Sequence, residues 1–113
     1  MSALAFYPIT GDGFQPRLRP GSGVLAAPVD RYRFDGIYVL KDGGIYCAEK
    51  FVGRPVVRMW LENPAYGSHE VDLEWFNTNV EAMAVAEVNV RIRDWSHYLG
   101  GSAQALLPAP VAA

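Results

Sequence analysis

The stretch Gly11–Leu25 constrains the chain more than any other: it places four glycines and two prolines immediately before an apolar run. Gly-Asp-Gly and Pro-Gly-Ser-Gly are turn sequences, so the segment reads as a tight turn, a short irregular piece, a second turn at Pro20-Gly21 and then a strand. A chain punctuated this closely cannot be a bundle of long helices. With 113 residues, half of them apolar, it has material for one domain with a modest core. Eight prolines, eleven glycines and a 12% aromatic share also favour many short elements.

Charge narrows the function classes. A formal charge of −2 and a pI near 5.6 argue against a stand-alone nucleic-acid binder, which would carry a basic face. Most cations (Arg17, Arg19, Arg31, Arg33, Lys41, Lys50, Arg54, Arg58) fall in or near the first half, whereas Met59–Val90 holds acids and no Lys or Arg. That asymmetry is read as a solvated surface. The single Cys47 rules out an internal disulfide framework and fits a reducing compartment. With no leader pattern and no run of membrane-spanning length, a soluble cytoplasmic domain without membrane contact is expected.

Taken in order, Ala3–Ile9 reads as a short strand, with Pro8 placing it at an edge or ending it. Val24–Ala27 is a second strand. Asp30–Asp35 is a polar-aromatic connection. Ile37–Lys41 and Ile45–Val52 form the clearest hairpin, joined by Asp42-Gly43-Gly44. Val56–Glu62 follows, with Val57, Met59 and Leu61 on one apolar face. Glu70–Leu73 is a short strand candidate. Glu81–Glu87 could begin a helix, but from Ala84 onward the period of two prevails and predicts a strand to Trp95. The parity of the apolar positions switches near Met83–Val85, which predicts a bulge or strong bend there. The expected fold class is therefore mainly β, of short, mostly antiparallel, strongly bent strands. One domain is expected over 1–99 and a flexible Ala/Pro-rich tail over 100–113.

Three segments in one order carry a family resemblance. Gly11-Asp12-Gly13-Phe14-Gln15-Pro16, followed by Pro20-Gly21 and an apolar strand, resembles the active-site segment Gly-Asp-Ser-Met-x-Pro of the LexA, UmuD and phage-repressor C-terminal domains. Asp35-Gly36-Ile37-Tyr38-Val39-Leu40 is similar to that family's Asp-Gly-Asp-Ile-Val-x-Val strand. Met59–Tyr66, containing Asn63-Pro64-Ala65-Tyr66, resembles its Asn-Pro-x-Tyr segment. The similarity runs from about Tyr7 to Trp95. It implies the LexA-like fold shared with signal peptidases. In the repressors that domain dimerises and, in the SOS response to DNA damage, cuts its own linker with a serine–lysine pair.

Carried over position by position, the resemblance implies a pseudoenzyme. The mechanism needs a serine hydroxyl and a lysine amine kept neutral by burial. Gly13 stands at the serine position. Glu49 is the preferred match for the lysine, and a one-residue hairpin slip would substitute Lys50. No catalytic residue, metal ligand or cofactor is therefore assigned. Ser22 reads as a turn serine and Asp12 as the cap of its own turn. His69 and His97 read as surface histidines, the tryptophans and tyrosines as packing residues, and Cys47 as a buried apolar residue. With almost nothing before Ala3, no linker is available to cut.

The expected function is a non-catalytic oligomerisation and protein-interaction domain of a phage- or prophage-type transcriptional repressor. Such a domain contacts DNA only through a separate helix-turn-helix domain. A homodimer is the expected assembly, with Val88, Val90, Ile92, Trp95 and Tyr98 as interface residues. Two alternatives stand beside it. One is a headless antirepressor or UmuD-like accessory subunit pairing with a full-length repressor or other partner. The other is a serine–lysine self-peptidase silenced by replacement of its serine with Gly13.

Overall fold

The computed structural model describes residues 4–19 and 21–90. The expected tail over 100–113 lies outside them. Seven strands form one sheet: β1 (Ala5–Pro8), β2 (Gly23–Pro28), β3 (Gly36–Leu40), β4 (Ile45–Lys50), β5 (Val56–Trp60), β6 (Ser68–Asp72) and β7 (Val80–Val88). Their order is β1-β2-β7-β3-β4-β5-β6, and every pairing is antiparallel. The fold is mainly β, as its period-two runs predict. Pro8 ends β1 on the sheet edge, where its missing N–H interrupts no ladder.

The hairpin forms at the expected turn. Leu40 and Gly44 close it through the Leu40 N–H to the Gly44 carbonyl (2.8 Å) and the Gly43 N–H to the Leu40 carbonyl (2.9 Å). Gly43 sits at φ +90°, a conformation that side chains with a Cβ avoid. The turn sets the register Tyr38↔Tyr46 and Val39↔Ile45. One face of β3 and β4 then carries Tyr38, Leu40 and Ala48, and the other carries Ile37, Val39, Ile45 and Cys47.

The parity switch in β7 is a bulge. Leu25 pairs with Ala86 and Ala26 with Ala84, leaving Val85 as the extra, outward residue. A second slip, between Val39↔Ala82 and Leu40↔Val80, passes over Glu81. Two consecutive residues, Ala82 and Met83, are consequently both buried, on opposite faces.

Most strand ends fall within one or two residues of expectation, with β4 stopping at Lys50 and β5 at Trp60, and two further elements differ more. Leu73 does not end a strand; it begins helix α1 (Leu73–Asn79). Leu73, Phe76 and Val80 recur at helical spacing, and Phe76 is the one fully buried residue of the helix. Its ring meets Tyr38 edge-on at 5.1 Å, and Tyr32 stacks on Tyr38 at 5.5 Å. The Tyr38 hydroxyl accepts from the Arg33 and Phe34 N–H groups and donates to the Phe34 carbonyl, which ties the β2–β3 loop over this core. The final strand starts at Val80 and ends at Val88. Asn89 and Val90 lie beyond its ladder, and the expected continuation to Trp95 falls outside the described residues.

Because α1 docks through one ring, Phe76→Ala should cost about 3–5 kcal/mol of stability. Urea denaturation checks this; an unchanged midpoint would mean that the helix contributes nothing to the core.

Candidate functional site

The site is a joint between the two most diagnostic segments. Asn63 follows β5 and precedes the 3-10 turn Pro64–Tyr66. Its backbone N–H donates to the Gly13 carbonyl at 2.7 Å, and its side-chain Nδ2 donates to the Asp12 carbonyl at 3.0 Å. Its Oδ1 accepts from the Ala65 N–H at 3.0 Å, capping the turn that Pro64 initiates. The Tyr66 hydroxyl then reaches back to the Asp12 carboxylate. That hydrogen bond and the Asp12 charge raise the Tyr66 pKa. Asp12 was expected to cap its own turn. Instead its backbone carbonyl accepts the Gln15 N–H (3.1 Å), while its carboxylate serves Tyr66.

Gly13 has an ordinary backbone conformation, and a Cβ there would lie 3.0 Å from Leu61 Cδ1. The backbone does not demand glycine. A side chain requires only a small shift of a flexible leucine tip, so what is absent is the hydroxyl and not the room for one.

The hairpin register places Glu49 opposite Arg58 and Lys50 opposite Val57. Glu49 shares the face of Cys47, on which Ile9 and, from the Gly11–Leu25 region, Phe14 and Leu18 pack. Lys50 takes the opposite parity, and its Nζ donates to the neighbouring Phe51 carbonyl at 3.4 Å. The Glu49 carboxylate is engaged by Arg58 Nη1 at 3.0 Å, and the Arg58 guanidinium lies 4.7 Å from the Trp60 ring centroid. Gly13 lines a cavity of about 290 Å³; Glu49 lines a separate groove of about 420 Å³. The structure does not bring Gly13 and Glu49 into one cavity.

Residues the sequence did not single out hold that groove together. Arg17 bridges Glu62 (2.8 Å) and Glu87, joining the loop to the ends of β5 and β7. Beneath it, Cys47 Sγ lies 3.6 Å from Glu62 Oε1. Burial, followed by the Glu62 charge, pushes the thiol pKa up to about 12. The signal in the sequence was only one of charge: two arginines in the loop, Arg17 and Arg19, and two acids some 45 and 70 positions after Arg17, with nothing to show that they meet.

Ser22 is a turn serine, its N–H donating to the Arg19 carbonyl at 3.0 Å, and it is also fully buried at the head of β2. Its Oγ accepts the Val90 N–H at 2.8 Å and donates to Asn89 Oδ1 at 3.2 Å, fastening the end of β7 to β2. The reason is that the chain enters the sheet directly at Ser22, whose carbonyl already accepts the Ile9 N–H at 2.7 Å. Of the expected interface residues, Val88 and Val90 are half-buried; Ile92, Trp95 and Tyr98 lie outside the described residues. His69 is exposed, edge-on to Tyr46 at 6.0 Å, and His97 is outside the described residues. Among the described residues no three potential metal ligands cluster, and no helix is long and apolar enough to cross a membrane.

Comparison with protein-family models and with curated proteins gives no match.

The raised Cys47 pKa has a definite sign. The unfolded thiol ionises near 9.0 and the folded one near 12, so its contribution to stability is full below pH 9 and is lost as pH rises through 12. In the native protein at pH 8, Ellman's reagent should react with Cys47 far more slowly than in urea. Equal rates would mean an open, ionisable thiol.

Proposed function

We propose that this chain is a non-catalytic interaction domain of the LexA-like repressor family, acting in the cytoplasm as a dimer whose DNA contacts belong to a separate helix-turn-helix domain. One observation carries the reading. The Gly-Asp-Gly and Asn-Pro-Ala-Tyr segments are joined through Asn63 and Tyr66, while Gly13 offers no nucleophile. Turn chemistry that shapes an active-site loop is kept, and the group that would react is missing. The Glu49–Arg58 pair supports the same reading, since a carboxylate held by a guanidinium replaces the neutral amine that a serine–lysine mechanism needs. The function that remains for such a domain is association, through the apolar end of β7 at Val88 and Val90.

Two experiments test this. Gly13→Ser restores a hydroxyl, and incubation at alkaline pH should leave the variant intact on a denaturing gel; self-cleavage would make the chain a silenced peptidase. Light scattering at high micromolar concentration should report a dimer that Val88→Asp weakens about tenfold or more. A wild-type monomer under those conditions would remove the interaction reading.

A further inference from the structure

The two most exposed large apolar side chains among the described residues, Val52 (100%) and Phe34 (66%), stand at one end of the sheet together with Phe51 (37%). Gly36 pairs with Ala48 and Lys50 with Val57, so the residues just before β3 and just after β4 emerge side by side at that end. Neither segment is loose. The Tyr38 hydroxyl holds both the Phe34 N–H (3.1 Å) and the Phe34 carbonyl (2.7 Å), and Asp35 Oδ1 accepts the Lys50 N–H at 3.2 Å, which joins the two segments. The Arg54 N–H closes the β4–β5 turn onto the Phe51 carbonyl at 3.2 Å, with Gly53 at φ +76°. A braced backbone thus holds apolar side chains in water, the mark of a surface that something covers.

The chain leaves the described residues at the same end. Val80 pairs with Leu40 and Met83 with Tyr38, so β7 runs on from Met83 toward the start of β3. Val85, Ala86 and Glu87 accordingly line one groove with Asp35, Gly36 and Glu49. Beyond Val90 the sequence reads Arg91-Ile92-Arg93-Asp94-Trp95-Ser96-His97-Tyr98-Leu99, which is rich in large apolar side chains. Strands β7, β3 and β4 are consecutive neighbours, so the β4–β5 turn lies two strand spacings, or about 10 Å, across the sheet from β7. An extended chain advances about 3.3 Å per residue, which brings Ile92 within reach of Phe34, and Trp95 within reach of Phe51 and Val52.

We propose that residues 91–99 fold back across this end of their own sheet, with Ile92 and Trp95 covering Phe34, Phe51 and Val52. Charge agrees with that path. The groove beside the exit is lined by Asp35, Glu49, Glu62 and Glu87 against one lining cation, Arg17, with Arg58 on Glu49, so Arg91 and Arg93 pass a net negative surface. Asp94 comes next to Trp95, where Lys50 and Arg54 flank the exposed turn. A second copy, another protein or a lipid surface would have to displace a segment tethered within a few residues of the patch, and such a tether gives it a high effective concentration. The inference uses the described fold alone and stands apart from the repressor reading, leaving association to Val88 and Val90.

The test uses the ¹⁵N-labelled full chain in a Cys47→Ala background, with a nitroxide on Ser96→Cys. The Phe34 and Val52 amide signals should lose about half their intensity or more relative to the reduced nitroxide, while the Trp75 amide, on the β6 side of the sheet, keeps its own. Trp95→Ser and Val52→Asp should each weaken the broadening, and Trp75→Ser should leave it unchanged. A mixed sample of unlabelled-nitrogen chains carrying the nitroxide and ¹⁵N chains without it should show no broadening at Phe34 or Val52. Absence of broadening within the labelled chain would overturn the inference. Equal broadening in the mixed sample would overturn it too, by making a second copy the occupant.

Discussion

The structure depends on one asparagine. Asn63 uses its backbone N–H, its side-chain donor and its side-chain acceptor on three different groups, two of which belong to a loop some fifty residues earlier. Each such bond contributes about 0.5–1.5 kcal/mol net. The larger effect is geometric: together they fix where the Gly11–Leu18 segment lies over the sheet. With the segment so held, Phe14 and Leu18 become fully buried against Ile9 and Cys47, and Arg17 is delivered to Glu62 and Glu87. No side chain but Asn or Gln carries donor and acceptor on one planar amide, and only Asn has the reach to cap its own turn while bonding outward. A 3-10 turn opened by proline immediately after it keeps the amide in place.

Much of this architecture was legible because strands announce themselves locally. The Asp42-Gly43-Gly44 turn and its flanking alternation set the hairpin, and the parity switch at Met83–Val85 marked the Val85 bulge before any coordinates. Helix α1 was not legible in the same way. Its seven residues bury a single aromatic, and Asn77, Thr78 and Asn79 are poor helix formers, so its formation rests on Phe76 packing against Tyr38, a tertiary contact. The burial of Ser22 was hidden for a related reason. A serine between glycines looks like a turn wherever it is, and only the arrival of Asn89 and Val90 from the far end of the chain turns it into a buried anchor.

The candidate site divides along the same line. Which residue types stand at positions 13 and 49 is a property of the sequence, and Gly13 and Glu49 stand there whatever the fold does. What they touch is a property of packing. The Glu49–Arg58–Trp60 row arises from cross-strand neighbours in β4 and β5, while the Arg17 bridge and the Asp12–Tyr66 contact join segments far apart in the chain. The result is a loop held from several sides. The small cavity beside it is shaped by the same glycines that form the turns.

The central claim is that the Gly11–Leu18 loop is a fixed part of the fold, held through Asn63. Amide hydrogen exchange at Asn63 tests it most directly. The account predicts that this amide, though in a loop, is protected to the same degree as the Tyr38 and Ala48 amides of the central hairpin, because opening it requires lifting the whole segment from the sheet. Exchange at the rate of a free surface loop would contradict the account.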